Sequence, residues 1–396
     1  MIYVFEDQQA LNLEPLTLTR ATFELRCGAV THLERIRRVV GDQPLALVVR
    51  PQLAAVVQER YPDLKVNPDP IGVGLWMNGA ALWDLAALKQ LSANLGAVGV
   101  EGRMTGGNLT AGESQALYES LRSGGGESPG PVKAGGPRLM GYLWDHIAAT
   151  GEQLSVDFGL WYRSSPIPVP PGVKVLGNGG VFLGKGVTLD PFTVLDTRNG
   201  PVIIEENTAV ASHVVIAGPS YLGAGCQVKP GSILAEVILG PVCKVGGQVE
   251  ETIMQGYSNK QHDGFLGHAY LGSWVNLGAG TTISDLKNNY SEVKVNVNGK
   301  LVNTGSLLVG LFMGDHAKSA IGTLFYTGTR VGVAANVFGE SLPPKVVPSF
   351  AWGCDGGQRY DLENCLTTME LVKGRRDEPF TDAERELWRG LYEGAD

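Results

Sequence analysis

Several common classes are excluded by what this chain has little of. Its five cysteines, Cys27, Cys226, Cys243, Cys354 and Cys365, are an odd number without a C-x-x-C pair. They suggest neither a disulfide framework nor a zinc site, and point to a reducing compartment. Basic charge is not in excess: 32 Lys and Arg stand against 40 Asp and Glu, a formal net charge of −8, which argues against nonspecific nucleic-acid binding. Anionic small substrates stay open if basic residues are local. No apolar run approaches the roughly 20 residues needed to cross a bilayer. The start, Met1-Ile-Tyr-Val-Phe-Glu-Asp, turns acidic at once instead of opening a signal peptide. A cytoplasmic protein is expected.

Glycine is abundant instead: 54 residues, about twice the usual share of roughly 7%. Between Leu183 and Ile283 apolar residues recur every six positions, at Leu183, Leu189, Leu195, then Val210, Ile216, Leu222, Val228 and Leu234, then Leu239 and Val245, then Phe265, Leu271, Leu277 and Ile283. Small residues follow most of them, and Gly186, Gly225, Gly231 and Gly280 sit three places on. A period of six fits neither a helix nor an alternating strand; it describes short strands turned through corners, the hexapeptide pattern of a parallel β-helix.

The N-terminal part alternates differently. Strands are expected at residues 2–5, 45–49, 75–77 and 97–100, and helices over 30–40, 51–61 and 80–91, which implies a parallel sheet flanked by helices, an α/β domain. Ile167-Pro-Val-Pro-Pro171 reads as a linker. The expected division is therefore 1–166 α/β, 167–340 β-helix and 341–396 a helical tail, with a capping box Thr381-Asp-Ala-Glu384 opening the last helix. Asn298-Gly299 inside an alternating run predicts a hairpin over 291–303, and Leu342 to Pro348 is expected to end the repeat.

The repeat is interrupted between Val249 and Phe265. A loop thrown out of the solenoid is expected there, gathering Tyr257, Asn259, Lys260, His262 and Asp263. A histidine titrating near neutrality beside a carboxylate suits proton abstraction; a solvated loop histidine is the plainer alternative.

The run from His262 to Thr281, with Val275-Asn-Leu-Gly-Ala-Gly-Thr281 at its end, resembles the acetyltransferase domain of the bifunctional glucosamine-1-phosphate acetyltransferase/N-acetylglucosamine-1-phosphate uridylyltransferases and related archaeal sugar-phosphate nucleotidylyltransferases. The resemblance implies a left-handed parallel β-helix, acetyl-CoA as co-substrate, a homotrimer, His262 as the catalytic general base, and Asn276 lining the acceptor site. The family's acceptor-binding lysine would fall near Glu250 or Glu251, where no basic residue stands; Lys260 or Lys287 is the expected substitute, with Tyr257 beside them. Ser284-Asp285 also departs from the family pattern.

Leu13-x-Pro15-Leu16-Thr17-x-Thr19-Arg20 with Glu24-Leu25-Arg26-x-Gly28 resembles a divergent sugar nucleotidyltransferase domain of Rossmann-like α/β fold. The family's glycine-rich triphosphate loop is reduced here to T-x-T-R, so Thr17, Thr19, Arg20 and Arg26 are the expected nucleotide ligands. The same resemblance implies Mg²⁺, for which Asp84, Asp145 and Asp157 are candidates by position alone. The expected function is synthesis of a sugar nucleotide from a nucleoside triphosphate and a sugar 1-phosphate, together with acetylation of an amino sugar phosphate. Two alternatives stand beside it: a β-helix serving only as a trimerisation scaffold, or an N-terminal half that is a degenerate binding module.

Overall fold

The computed structural model describes residues 1–354 and 357–394. One compact unit comprises Met1–Leu25, Val30–Tyr142 and Phe380–Glu393; the other comprises Arg26–Ala29 and Leu143–Pro379. The main division falls at Tyr142, whereas composition placed it near 166. Ile167 packs against the β-helix core, and the Tyr162 ring meets Phe182 edge-on at 5.0 Å, so this stretch folds with the second unit.

The first unit holds a seven-stranded sheet in the order 65–66, 45–48, 2–5, 74–78, 103–109, 96–100, 132–134. Ile2–Phe5 lies between Leu45–Val48 and Gly74–Asn78, parallel to both. Its alternation divides the core. Ile2 and Val4 pack with Leu33, Ile36 and Val40 of the helix His32–Val40, and Tyr3 and Phe5 pack with Trp76, Leu117 and Tyr118. The all-parallel expectation is corrected: Arg103–Leu109 runs antiparallel to both its neighbours. That strand, where no element is expected from the sequence, contains Gly106 and Gly107. Gly106 is required by packing, since a Cβ there would meet the Trp76 carbonyl and the Trp83 ring at 2.8 Å. The last helix, Asp382–Glu393, is opened by the expected Thr381/Glu384 box and inserts Leu387 into this unit's core.

The second unit is a three-sided parallel β-helix. Its first face starts at Lys174–Leu176, its second at Val181–Leu183 and its third at Thr188–Leu189, and the chain visits them in that order. Inward residues stack coil on coil: Leu195, Ile216, Leu234, Val249 and Leu266 on the first face, and Leu183, Ile204, Leu222, Leu239, Met254 and Leu271 on the second. Glycines 186, 225, 231 and 280 take φ of +70 to +72° at corners, where a Cβ would strain the backbone.

Three expectations about the repeat change. Residues 249–265 are not an extruded loop but an ordinary coil, with strands Gln248–Glu250, Ile253–Gly256 and Asn259–Lys260. Two inward steps are five residues, Val249 to Met254 in this coil and Leu266 to Leu271 in the next, and it is Leu266 that points inward, not Phe265. The repeat also continues past Pro343: Val346–Val347 pairs with Arg330–Val331. The Asn298-Gly299 hairpin forms as expected, joining Lys294–Val297 to Lys300–Asn303.

Candidate functional site

His262 stands at the corner that leads from the third face back to the first. The turn Gln261–Gly264 lies between the strands Asn259–Lys260 and Phe265–Gly267. The imidazole is exposed. With Gln261 and Asp263 it borders an open groove of about 810 Å³ whose other wall is the same corner of the next coils, Ala279–Gly280 and Ile321–Gly322. The Asp263 backbone carbonyl fixes the turn by accepting from the Gly280 amide at 3.1 Å. Small residues at 279 and 280 keep the groove open beside the imidazole, so a reactant could approach it along the coil axis.

The four expected acceptor ligands are not gathered at this corner. Asn276 is exposed on the outer side of the third face, one coil on, and accepts from the Asn259 amide at 3.3 Å. Tyr257 sits at the opposite edge of that face, stacked on Trp274 at 4.4 Å, with its hydroxyl donated to Glu378. Burial, and then the Glu378 carboxylate, push its phenol up to about 12. Lys287 borders a separate, largely apolar groove of about 690 Å³ with Lys345, Leu324 and Tyr326. Its ammonium donates to the Glu292 carbonyl at 2.6 Å. Lys260 points inward: it is 2% exposed, takes the place that Val245 takes in the preceding coil, and donates to the carbonyls of Gly246 and His262.

His268 occupies the next corner and is held differently. Its Nδ1 lies 2.8 Å from Asp285 and its Nε2 3.1 Å from Glu251. Burial alone would lower its pKa, but the bonds to Asp285 and Glu251 and their charges outweigh it and raise the imidazole to about 9. Glu251 and Asp285, two places where the chain departs from the resembling family, are thus the partners of His268. Glu236 stands at the same corner one coil before Glu251, its carboxyl raised first by burial and then by the charge of Glu251.

In the first unit, the crevice outside the carboxyl end of Ile2–Phe5 is the topological switch point of the sheet, the usual ligand site in open α/β sheets. Glu6 and Asp7 follow that strand directly. Asp7 takes a two-pronged contact from Arg103 at 2.7 and 2.8 Å and accepts from Asn78 at 2.9 Å. Glu6 accepts from Arg50 at 2.9 Å. The expected nucleotide loop is folded inward: Thr17, Thr19 and Arg20 are 0%, 2% and 7% exposed. The Thr17 hydroxyl donates to Ala10, while Arg50 and Arg60 hold the carbonyls of Thr17 and Thr19. Arg26 belongs to the other unit, where it is buried and donates from Nε to the Gln255 carbonyl at 3.2 Å. Glu6, Asp7, Arg50 and Arg103 were missed in sequence; two carboxylates immediately after the first strand were the available signal.

The carboxylates do not fit a Mg²⁺ site. Asp84 caps the helix Leu85–Ala93, Asp157 accepts from the Ala29 amide in the second unit, and Asp7 and Glu6 are engaged by arginine. Among the described residues, no group of three or more His, Cys, Asp or Glu is placed to hold a metal ion. No helix among them is long and apolar enough to cross a membrane.

Residues 2–165 match the family described as sugar nucleotidyl transferase. A bifunctional sugar-1-phosphate nucleotidylyltransferase/acetyltransferase of Sulfurisphaera tokodaii is 36% identical over 142 residues, 35% of this chain and 35% of that protein. A bifunctional protein GlmU of Stenotrophomonas maltophilia is 34% identical over 161 residues, 38% of this chain and 33% of that protein. The chain thus spans about a third of the length of these relatives. A solved UDP-N-acetylglucosamine acyltransferase from Arabidopsis overlaps 57% of this chain and 96% of that chain at 13% identity, with a TM-score of 0.28. Over residues 2–165 the chain is similar to the sugar nucleotidyl transferase family, and it is similar over about a third of its length to proteins named as bifunctional nucleotidylyltransferase/acetyltransferases.

Proposed function

We propose that the protein is a transferase of sugar-nucleotide metabolism whose β-helix moves an acetyl group from acetyl-CoA to the amine of a sugar phosphate, with His262 as general base. The observation that carries this reading is an exposed imidazole at a β-helix corner, beside a groove kept open by Ala279 and Gly280. The attacking nitrogen must lose a proton as it bonds to the thioester carbon. His262 takes that proton, the C–S bond breaks, and the proton passes to the departing thiolate. Asn276, exposed one coil on, is the residue assigned to the acceptor. The relatives' names supply the acetyl group and the sugar phosphate.

The first unit would bind a nucleotide at the switch point beyond Ile2–Phe5, with Arg50 and Arg103 as the cations within reach. Nucleotidyl transfer to a sugar is the activity that the matching family's description gives, and a sugar 1-phosphate is the acceptor named for a relative. A second reading, that this unit binds a nucleotide or sugar without catalysis, is favoured by the burial of Thr17, Thr19 and Arg20 and by a carboxylate set unsuited to Mg²⁺. The full-length protein, assayed for pyrophosphate release from triphosphates and for thiol release from acetyl-CoA, separates the two. Thiol release without pyrophosphate release supports the binding-module reading, and neither product sinks the transferase proposal. The flat faces of the prism suit a closed homotrimer, and a monomeric mass in sedimentation at micromolar concentration would count against it.

A further inference from the structure

The inward positions of the third face are filled by Leu189, Val210, Val228 and Val245 in the coils before residue 260, and by Leu277 in the next. Lys260 stands in that column, 2% exposed. A lysine there loses hydration that an aliphatic side chain never had, so its ammonium must find acceptors inside the coil. It finds two, the Gly246 carbonyl at 3.0 Å and the His262 carbonyl at 2.6 Å. The first belongs to the preceding coil and the second to the turn that carries the exposed imidazole.

We propose that Lys260 is the positioning residue of His262: from inside the prism its ammonium ties the His262 carbonyl to the coil beneath and so fixes where the imidazole stands at the groove. The inference rests on the reading of His262 as the base, and it adds a residue that touches no reactant. Charge-assisted bonds of this kind are stronger than neutral ones and hold a short turn that has few ladder bonds of its own. They also make the turn sensitive to pH. Burial lowers the Lys260 ammonium to about 8, opposed by the charge of Asp263. The stacked coils present Val245, the Gly246 carbonyl and Leu277, none of them titratable. Above that pH the amine is neutral, both bonds weaken, and the turn loosens.

The test is titration of histidine-labelled full-length protein by NMR, with the His262 signals assigned by their loss in His262→Gln, alongside acetyl-transfer kinetics with glucosamine 1-phosphate. In the wild type the His262 signals should show an inflection near pH 8 that reports Lys260. In Lys260→Met that inflection should vanish, and kcat should fall by about 10- to 100-fold, the usual cost of a displaced catalytic group, with acceptor KM unchanged and no alkaline loss of rate near pH 8. Wild-type His262 signals without that inflection overturn the proposal, and this arm needs no variant to fold. A Lys260→Met protein with wild-type kcat and pH profile overturns it as well. If the inflection is present but the wild type transfers no acetyl group, the clamp stands and the acetyltransferase reading falls.

Discussion

Two successive corners of the β-helix carry a histidine each, six residues apart, and they have opposite characters. At one, His262 is exposed beside an open groove. At the other, His268 is buried between Asp285 and Glu251, which hold it protonated at neutral pH. A general base must be neutral before it acts and must reach its substrate; a structural imidazolium must be charged and enclosed. The contrast teaches that the residue type decides little by itself. The same ring is suited to catalysis or to cohesion according to whether it stands open at a groove or is enclosed and bonded by two carboxylates.

The largest effect should come from exchanging the exposed ring. His262→Ala is expected to lower acetyl transfer by roughly 10²- to 10⁴-fold with an unchanged melting temperature, because an exposed corner residue contributes little packing. Full retention of activity would remove His262 from the chemistry. His268→Gln should do the reverse, costing about 2 kcal/mol through the loss of two charge-assisted bonds, read as a lower denaturation midpoint, while leaving kcat within a few-fold of wild type. A fall in kcat as large as that of His262→Ala would erase the distinction between the corners.

A smaller, directional effect follows from pH. The folded-state pKa of His268 is raised from the ordinary 6.5 to about 9. Its contribution is therefore full below about pH 6.5 and is lost as pH rises through about 9. Thermal denaturation of the wild type should show this loss between pH 7 and 9.5, and His268→Gln should lack it; parallel curves for the two proteins would contradict the assignment. Smallest of all, Asn276→Ala should raise the acceptor KM several-fold, about 1 kcal/mol for one hydrogen bond, with stability unchanged. A KM identical to wild type would take Asn276 out of the acceptor site.

Much of this was legible in the residues. The alternation of strand and helix through residue 100 is matched by Ile2–Phe5, His32–Val40, Leu45–Val48 and Gly74–Asn78, because each is a local pattern of burial. Helix Ala111–Arg122 passed unnoticed, although Thr110 and Glu113 form a capping box at its start. The candidate site was less legible. Lys260 breaks an apolar column, and the five-residue inward steps at Met254 and Leu271 shift its phase, so a search for apolar residues six apart sees a gap and infers a loop. Thr17, Thr19 and Arg20 have the composition of a phosphate loop but turn inward; nothing in their spacing shows that Arg50 and Arg60 hold their carbonyls from distant elements.

The sequence by itself determined the stacked coils. Each coil meets mainly the one before and the one after, so a repeat of inward apolar residues and corner glycines specifies the solenoid without long-range information. Tertiary structure alone decided which side chains within a coil face inward, since one residue gained or lost at a corner turns a neighbour from solvent to core. It also placed Asp285 against His268 across 17 residues, and put Arg26 with the β-helix although its sequence neighbours fold in the other unit. Those choices depend on the energy of pairing charges and filling space between segments remote in the chain, which no local pattern records.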